Sequence, residues 1–292
     1  MIKHTKGENI FNVINIIIMI ILMILAAYPI IYVVFASFSN SSEFMRVSGL
    51  LLKPAGFSMA SYKAVFTNPN IGHGYLNTLI YLTIGTAGGV FLTVLAGYCL
   101  SRRNLMFRSP IMLIITFTMF FSGGLIPTYL NVQNLGLIDT RAAVILPTLI
   151  NTFNLIIMRT AFEGIPESLS ESAQLDGAGH FTILFKIMLP LVLPTIMVIV
   201  LYYAVERWNE WFNAMIYLQT SSKYPLALVL REILMQNDTS SMTQGTSFGD
   251  LDSVSETIKY AVIVVATLPI LVLYPFLQKY FVKGVMVGAV KG

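Results

Sequence analysis

Six stretches of this chain, at about residues 10–38, 78–100, 111–130, 142–162, 191–218 and 258–281, are apolar for some twenty residues or more. A helix needs roughly 20 mainly apolar residues to cross the hydrocarbon core of a bilayer, and hydrocarbon tolerates no backbone polar group left unsatisfied. Six such runs within 292 residues leave little room for a soluble domain. Charged residues make up 11% of the chain, where soluble domains carry roughly 25%. The sequence reads as an all-α integral membrane protein of six transmembrane helices.

Lys3 and Lys6 precede the first run as they would in a secretory signal. Its apolar stretch outlasts the roughly 7–15 residues of a signal core, and no convincing cleavage site follows, so it reads as a retained first helix. Residues 1–76 then form a tail, the first helix and an outer loop, residues 77–282 the membrane core, and residues 283–292 a second tail.

Short loops on the cytoplasmic side of a membrane protein retain Lys and Arg. The loop between the second and third runs carries Arg102, Arg103 and Arg108 and no acid. This places it, both termini and the polar segment 163–190 inside the cell, with the longer polar stretches 39–77 and 219–257 outside. The net charge of +4 and pI near 9.1 follow from that bias and call for no nucleic-acid partner.

The exclusions are as informative. No phosphate-binding G-x-x-x-x-G-K-[ST] loop occurs. His4, His73 and His180 are scattered without ligand spacing, and the single Cys99 sits within the second run. No constellation for hydrolysis, acyl transfer or metal chemistry emerges, so the chain reads as non-enzymatic, without a metal. Gly88-Gly89 and Gly123-Gly124, inside apolar runs, read as positions of close helix packing.

The segment 163–190 is a polar island. Pro166 suits a first helical position, and Ser168 followed by Glu171 has the spacing of a capping box if the helix starts slightly later. Gly177-Ala178-Gly179 ends that helix, because glycine reaches positive φ cheaply. A second amphipathic stretch runs from Phe181 to Leu189, with Pro190 and Pro194 flanking the entry to the fifth run. The result is a helix-turn-helix knuckle; on shape alone, a solvated interhelical loop is the competing reading.

Glu171, Ser172, Ala173, Gly177, Ile187, Leu189 and Pro190 resemble the E-A-A-x-x-x-G-x9-I-x-L-P signature of permease subunits in ATP-binding-cassette importers, with Ser172 in place of the usual Ala. The resemblance implies the type I importer permease fold. It also implies that the knuckle within 168–179, including Asp176, is a coupling helix docking on a separate ATPase. Tyr28-Pro29-Ile30, Ser37-Phe38-Ser39, Trp208-Asn209 and the ending Val290-Lys291-Gly292 are similar to the maltose-type carbohydrate permeases. WNEWFNAMIYL, PLALVLREIL and KYFVKGVMVGAVKG resemble complex-oligosaccharide importers.

The implied partners are a second homologous permease, two ATPase subunits that hold ATP and Mg, and an extracellular lipid-anchored binding protein delivering an oligosaccharide. No cofactor is implied on this chain. The resemblance also implies an ATPase contact by the tail, including Lys291 and Gly292.

Glu206, Asn209, Glu210 and Asn213 share one face of a continuous helix by i, i+3, i+4 spacing, beside Trp208 and Trp211. Such a patch suits the outer part of a sugar pathway, since intramembrane charges face cavities or partners. An interfacial aromatic belt with Arg207 paired to Glu210 is the alternative. Pro127, Pro147, Pro194 and Pro269 supply candidate bends. Two other classes remain open: a secondary transporter, for which no repeated half is visible, and an assembly or sensor subunit docking a non-ATPase partner.

Overall fold

The structure, a computed structural model, describes residues 6–236 and 256–272, and all regular elements among these residues are helices, apart from one isolated bridge between Ser39 and Phe57. Among the described residues, two helices are long and apolar enough to cross a bilayer. They are α1 (Lys6–Ser37), with its apolar window at Ile10–Ser37, and α4 (Pro69–Ser101). The three runs that follow α4 are each broken.

The third run divides into α5 (Arg108–Phe120) and α6 (Leu125–Asn134), bent by 112°. In the fourth, α7 (Arg141–Ile145) and a tight turn at Leu146–Thr148 meet α8 (Thr152–Glu163) at 49°. In the fifth, the segment His180–Leu191 meets α12 (Leu193–Trp208) at 85°. Counting each bent pair as one span gives up to five among the described residues. The sixth run is described only to residue 272.

The breaks have local causes. Gly124 sits at φ +91° and a Cβ there would meet nothing within 4 Å, so the Gly123-Gly124 pair lies in the break before α6 and packs no helix against a neighbour within the chain. That corrects the packing expected of this pair. Pro147 lies in the tight turn before α8, whose first N–H groups are capped by the Asn151 side chain at 2.9 and 3.3 Å. Pro194 opens α12.

A broken helix inside hydrocarbon exposes backbone groups that need partners. Helix α12 provides them. The Tyr203 hydroxyl accepts from the Asn151 N–H at 2.9 Å and bonds Thr93 Oγ1 of α4 at 2.7 Å. One turn further on, the fully buried Arg207 donates to the Thr148 carbonyl and hydroxyl and, at 3.5 Å, to the Val144 carbonyl. The ion pair considered between Arg207 and Glu210 does not form.

Small residues on α4 admit this arrangement. A Cβ on Gly89 would lie 2.8 Å from the Leu149 carbonyl and 3.1 Å from the Tyr203 ring, and one on Gly97 2.9 Å from Met158 Cγ. At Gly88 and Gly89 the expected close packing holds. Val94, Tyr98, Met158, Phe162, Ile199 and Tyr203 form the centre of the resulting core.

The described residues divide into two compact units, one of residues 70–231 with 269–272, which holds α5 to α8, α12 and nearly all of α4, and one of residues 6–69 with 232–236 and 256–268. In the latter, α1 is followed by α2 (Ser41–Phe44) and α3 (Ala60–Thr67). Ser37 bonds the Tyr62 hydroxyl and Ser61 bonds Thr257, both at 2.8 Å, and the Tyr260 ring meets Tyr32 and Phe44 edge-on. From Ile10 to Ala26 the side chains of α1 are exposed, and burial within the chain begins only toward its end, at Ala36 and Ser37.

Gly89→Val should lower the thermal stability of the detergent-solubilised protein by about 1–3 kcal/mol, because the obstructing atom is backbone and cannot turn aside. Gly72→Ala, on the same helix but with open space at its Cβ, should be neutral or slightly stabilising. Equal melting temperatures for the two variants would refute the packing account.

Candidate functional site

Helix α8 ends at Glu163 and the chain turns through Gly164, Ile165 and Pro166 into α9 (Glu167–Leu175). Pro166 sits at the cap position and no side chain caps α9. The helix therefore starts before Ser168, so the Ser168–Glu171 capping box does not form. Glu167 in the first turn complements the helix dipole instead.

The other end of α9 is tightly specified. The Ala178 N–H reaches the Ala173 carbonyl at 2.9 Å and the Gly177 N–H reaches the Gln174 carbonyl at 3.0 Å, with Gly177 at φ +82°. This pair of bonds is a Schellman motif, and the left-handed residue it needs is the glycine expected to stop the helix. The chain continues through α10 (His180–Thr182), a π turn at Ile183–Met188 and α11 (Leu189–Leu191). Ile183, Leu184 and Met188 are buried in the same core as Ala173.

The knuckle thus has two faces. Ser170 and Ala173, three residues apart, point into the core, and Ile187 and Leu189 are half-buried against it. Glu171, Ser172, Asp176, Gly177 and Pro190 are exposed. Beside them lie apolar side chains that the sequence reading missed. Leu175 is 90% exposed, Phe181 72% and Leu169 43%. Their signal in the sequence is their place: large apolar residues within a polar island, where burial in lipid does not account for them. A contiguous exposed apolar patch rimmed by polar groups marks an interaction surface.

Arginines hold the knuckle in place. Arg108 and Arg159 both ion-pair with Glu163, the latter at 2.6 Å, and both donate through Nε to the Leu100 carbonyl, at 3.1 and 3.3 Å. Two cations at the C-terminal end of α4 suit its dipole, and their shared carboxylate fastens the end of α8 there. Arg102 donates to the Ser170 hydroxyl at 3.0 Å, its guanidinium lying 4.2 Å above the Tyr98 ring. Arg103 and Glu167 approach to 3.5 Å on the surface, a contact worth little.

The patch at the end of the fifth run is built differently from expectation. Helix α12 stops at Trp208, and α13 (Phe212–Tyr217) begins after a break, so Glu206, Asn209, Glu210 and Asn213 do not share a continuous helical face. Asn209 caps α12. The buried Glu210 instead accepts from the backbone and side-chain nitrogens of Asn213, both at 3.0 Å. Trp208 is 9% exposed and meets Tyr75 edge-on, while the Arg231 guanidinium lies 4.5 Å over the half-buried Trp211. Glu206 is half-buried and Asn209 exposed. Lys291 and Gly292 lie outside the described residues.

At the end of α4 remote from the arginines, Asp139 clamps the segment after α13. Its carboxylate accepts from the Gln219 and Thr220 N–H groups at 3.0 Å, the Thr220 hydroxyl at 2.6 Å and the Lys223 ammonium at 2.8 Å. Asn77 and Tyr81 donate to the Ser222 and Lys223 carbonyls at 2.7 and 2.8 Å, and Thr78 accepts from the Leu226 N–H at 2.9 Å.

Comparison with known proteins gives a consistent result. Residues 89–287 match the family described as binding-protein-dependent transport system inner membrane component. The chain is 46% identical over 267 residues to the polygalacturonan/rhamnogalacturonan transport system permease protein YtcP of Bacillus subtilis, covering 90% of this chain and 91% of that one. It is 39% identical to protein LplC of the same organism, covering 99% and 97%. A crystal structure of a bacterial ABC transporter involved in import of the acidic polysaccharide alginate superposes with a TM-score of 0.88 at 31% identity, covering 96% of this chain and all of that one.

The Asp139 clamp carries a pH dependence of definite sign. The Lys223 ammonium first, then the Thr220 hydroxyl and the two N–H groups, hold the Asp139 carboxyl well below the usual carboxylate range. The clamp is in full force above the ordinary carboxylate pKa of about 4 and is lost as the pH falls below it toward the depressed native value. Melting temperature measured from pH 6 downward should fall more steeply for the wild type than for Asp139→Asn. Parallel curves would refute the clamp.

Proposed function

The chain belongs to the inner membrane components of binding-protein-dependent transport systems, and on that premise we propose that it is a permease subunit of an ATP-binding-cassette importer for oligosaccharides. In this reading it crosses the bacterial plasma membrane six times with both termini in the cytoplasm. It forms the translocation pathway with a second, homologous permease, and an extracellular lipid-anchored binding protein delivers the sugar. ATP and Mg are bound by two separate ATPase subunits, and no cofactor is held on this chain. Two of the relatives serve acidic polysaccharides, polygalacturonan and alginate. An acidic oligosaccharide is therefore the cargo to test first.

The observation that carries the reading is the two-faced knuckle. Its inner face is part of the core through Ser170 and Ala173, and its outer face presents Leu175 at 90% exposure among Glu171, Ser172 and Asp176. An apolar side chain so exposed, on a helix whose end is fixed by a Schellman motif, suits insertion into a cleft on a soluble partner. Movement of that partner would shift α9 as a rigid body, and with it α8 and the segment leading into α12. The bends at 49°, 85° and 112° are where the spans would yield. The patch from Glu206 to Asn213, including Trp208, Asn209, Glu210 and Trp211, and the tail through Lys291 and Gly292, enter this scheme as the pathway lining and a second ATPase contact.

Leu175→Asp should leave membrane insertion unchanged while ATPase co-purification and oligosaccharide uptake fall by about tenfold or more, the cost of losing a buried apolar anchor. Gly177→Val, which forces a branched side chain into positive φ at a cost of roughly 1–2 kcal/mol, should lower uptake in the same way. Full uptake and co-purification by both variants would sink the coupling assignment.

A further inference from the structure

Arg102 is held unlike its neighbours. Arg108 and Arg159 share a carboxylate and a helix-terminal carbonyl, the satisfied arrangement expected of cations that brace a fold. Among the described residues Arg102 has no carboxylate within ion-pair distance. One nitrogen, Nη1, donates to the Ser170 hydroxyl, which in turn donates to the Glu167 carbonyl at 2.8 Å. The other two, Nε and Nη2, are sealed from solvent with no hydrogen-bond partner. The flat guanidinium rests on the Tyr98 ring.

Buried guanidinium donors left unmet cost stability, and an apolar side chain of the same length would pack against Tyr98 without that cost. The position is thus poorly explained as a brace. It does join two parts that the proposed mechanism must connect. Arg102 follows the last residue of α4, while Ser170 is 2% exposed on the inner face of α9. The other polar ties between these parts are weak: a surface contact of 3.5 Å from Arg103 to Glu167, and a bond of 3.5 Å from the Tyr98 hydroxyl to the His180 carbonyl.

We propose that Arg102 is a positioning residue for coupling, a link through Ser170 that makes α4 follow the knuckle when the ATPase moves it, retained at a cost to the stability of the resting state. The inference rests on the coupling reading given above. Its unpaired donors favour a link over a brace, because a cation that only braces the fold is expected to have its buried donors met, and two of those on Arg102 are not.

The test uses the complete importer reconstituted in vesicles, with thermal unfolding, ATP hydrolysis and oligosaccharide uptake measured on each variant. Arg102→Met is expected to melt at or above the wild-type temperature and to hydrolyse ATP, while uptake falls about tenfold. Ser170→Ala is expected to lower uptake in the same direction, with the double variant no worse than the more affected single one, as for two residues acting through one contact. Arg102→Lys, which keeps one donor for Ser170, should recover much of the uptake.

Wild-type uptake by Arg102→Met would overturn the proposal. So would a melting temperature that falls in step with uptake, which is the signature of a brace, or strictly additive losses in the double variant. The underlying coupling reading is judged separately by Leu175→Asp and Gly177→Val. If those two stop uptake and Arg102→Met does not, only the role of Arg102 fails.

Discussion

The hydroxyl of Tyr203 is the contact on which the packing of the membrane core depends. It takes the N–H of Asn151 at the break between the halves of the fourth run and bonds Thr93 at the same time, so three segments meet on one oxygen. A break at this depth would otherwise leave a backbone donor without a partner, in surroundings where that costs several kcal/mol. Arg207 does the same one turn further along for the carbonyls of Thr148 and Val144. The bent fourth run and α12 therefore stabilise one another. The glycines of α4 allow the approach, because a side chain at Gly89 would occupy the space of the Tyr203 ring and the Leu149 carbonyl.

The apolar runs were readable from length alone, since few soluble structures need twenty apolar residues in sequence. Where they break was readable only in part. Pro147 and Pro194 mark two bends because proline removes a donor, but a glycine pair supports either a close contact or an interruption. Gly89 has a neighbour that arrives from another segment and Gly124 has none. Nothing local distinguishes the two. The continuous face drawn through Glu206 and Asn213 failed for a related reason: α12 ends where Asn209 and Glu210 turn their side chains to nearby backbone, a competition that periodicity does not register.

The knuckle was more legible, because its turn chemistry is local. Gly-Ala-Gly announces a left-handed stop, and the two bonds from Gly177 and Ala178 complete it. The start of α9 was misplaced by one or two residues, as helix starts are when no side chain caps them. Exposure was the hardest property to read. Leu175 looks like a core residue in sequence, and only the orientation of α9 over the core turns it outward while Ala173 turns in. Arg102, in turn, entered the reading as a topological charge; its role depends on Tyr98 and Ser170, the latter 68 residues away.

Helix α4 has a consequence of its own. Its 33 residues make a rod of about 50 Å, against a hydrocarbon core of about 30 Å. Asn77, Thr78 and Tyr81 pin one end to the segment 222–226, and Arg108 and Arg159 pin the other through Leu100. A stiff rod fixed in this way cannot absorb a displacement along its length. Tilting it by about 10° around its middle would carry its two ends some 4 Å in opposite directions. Such a seesaw would narrow one side of the membrane as it widened the other, without any part of the helix having to unfold.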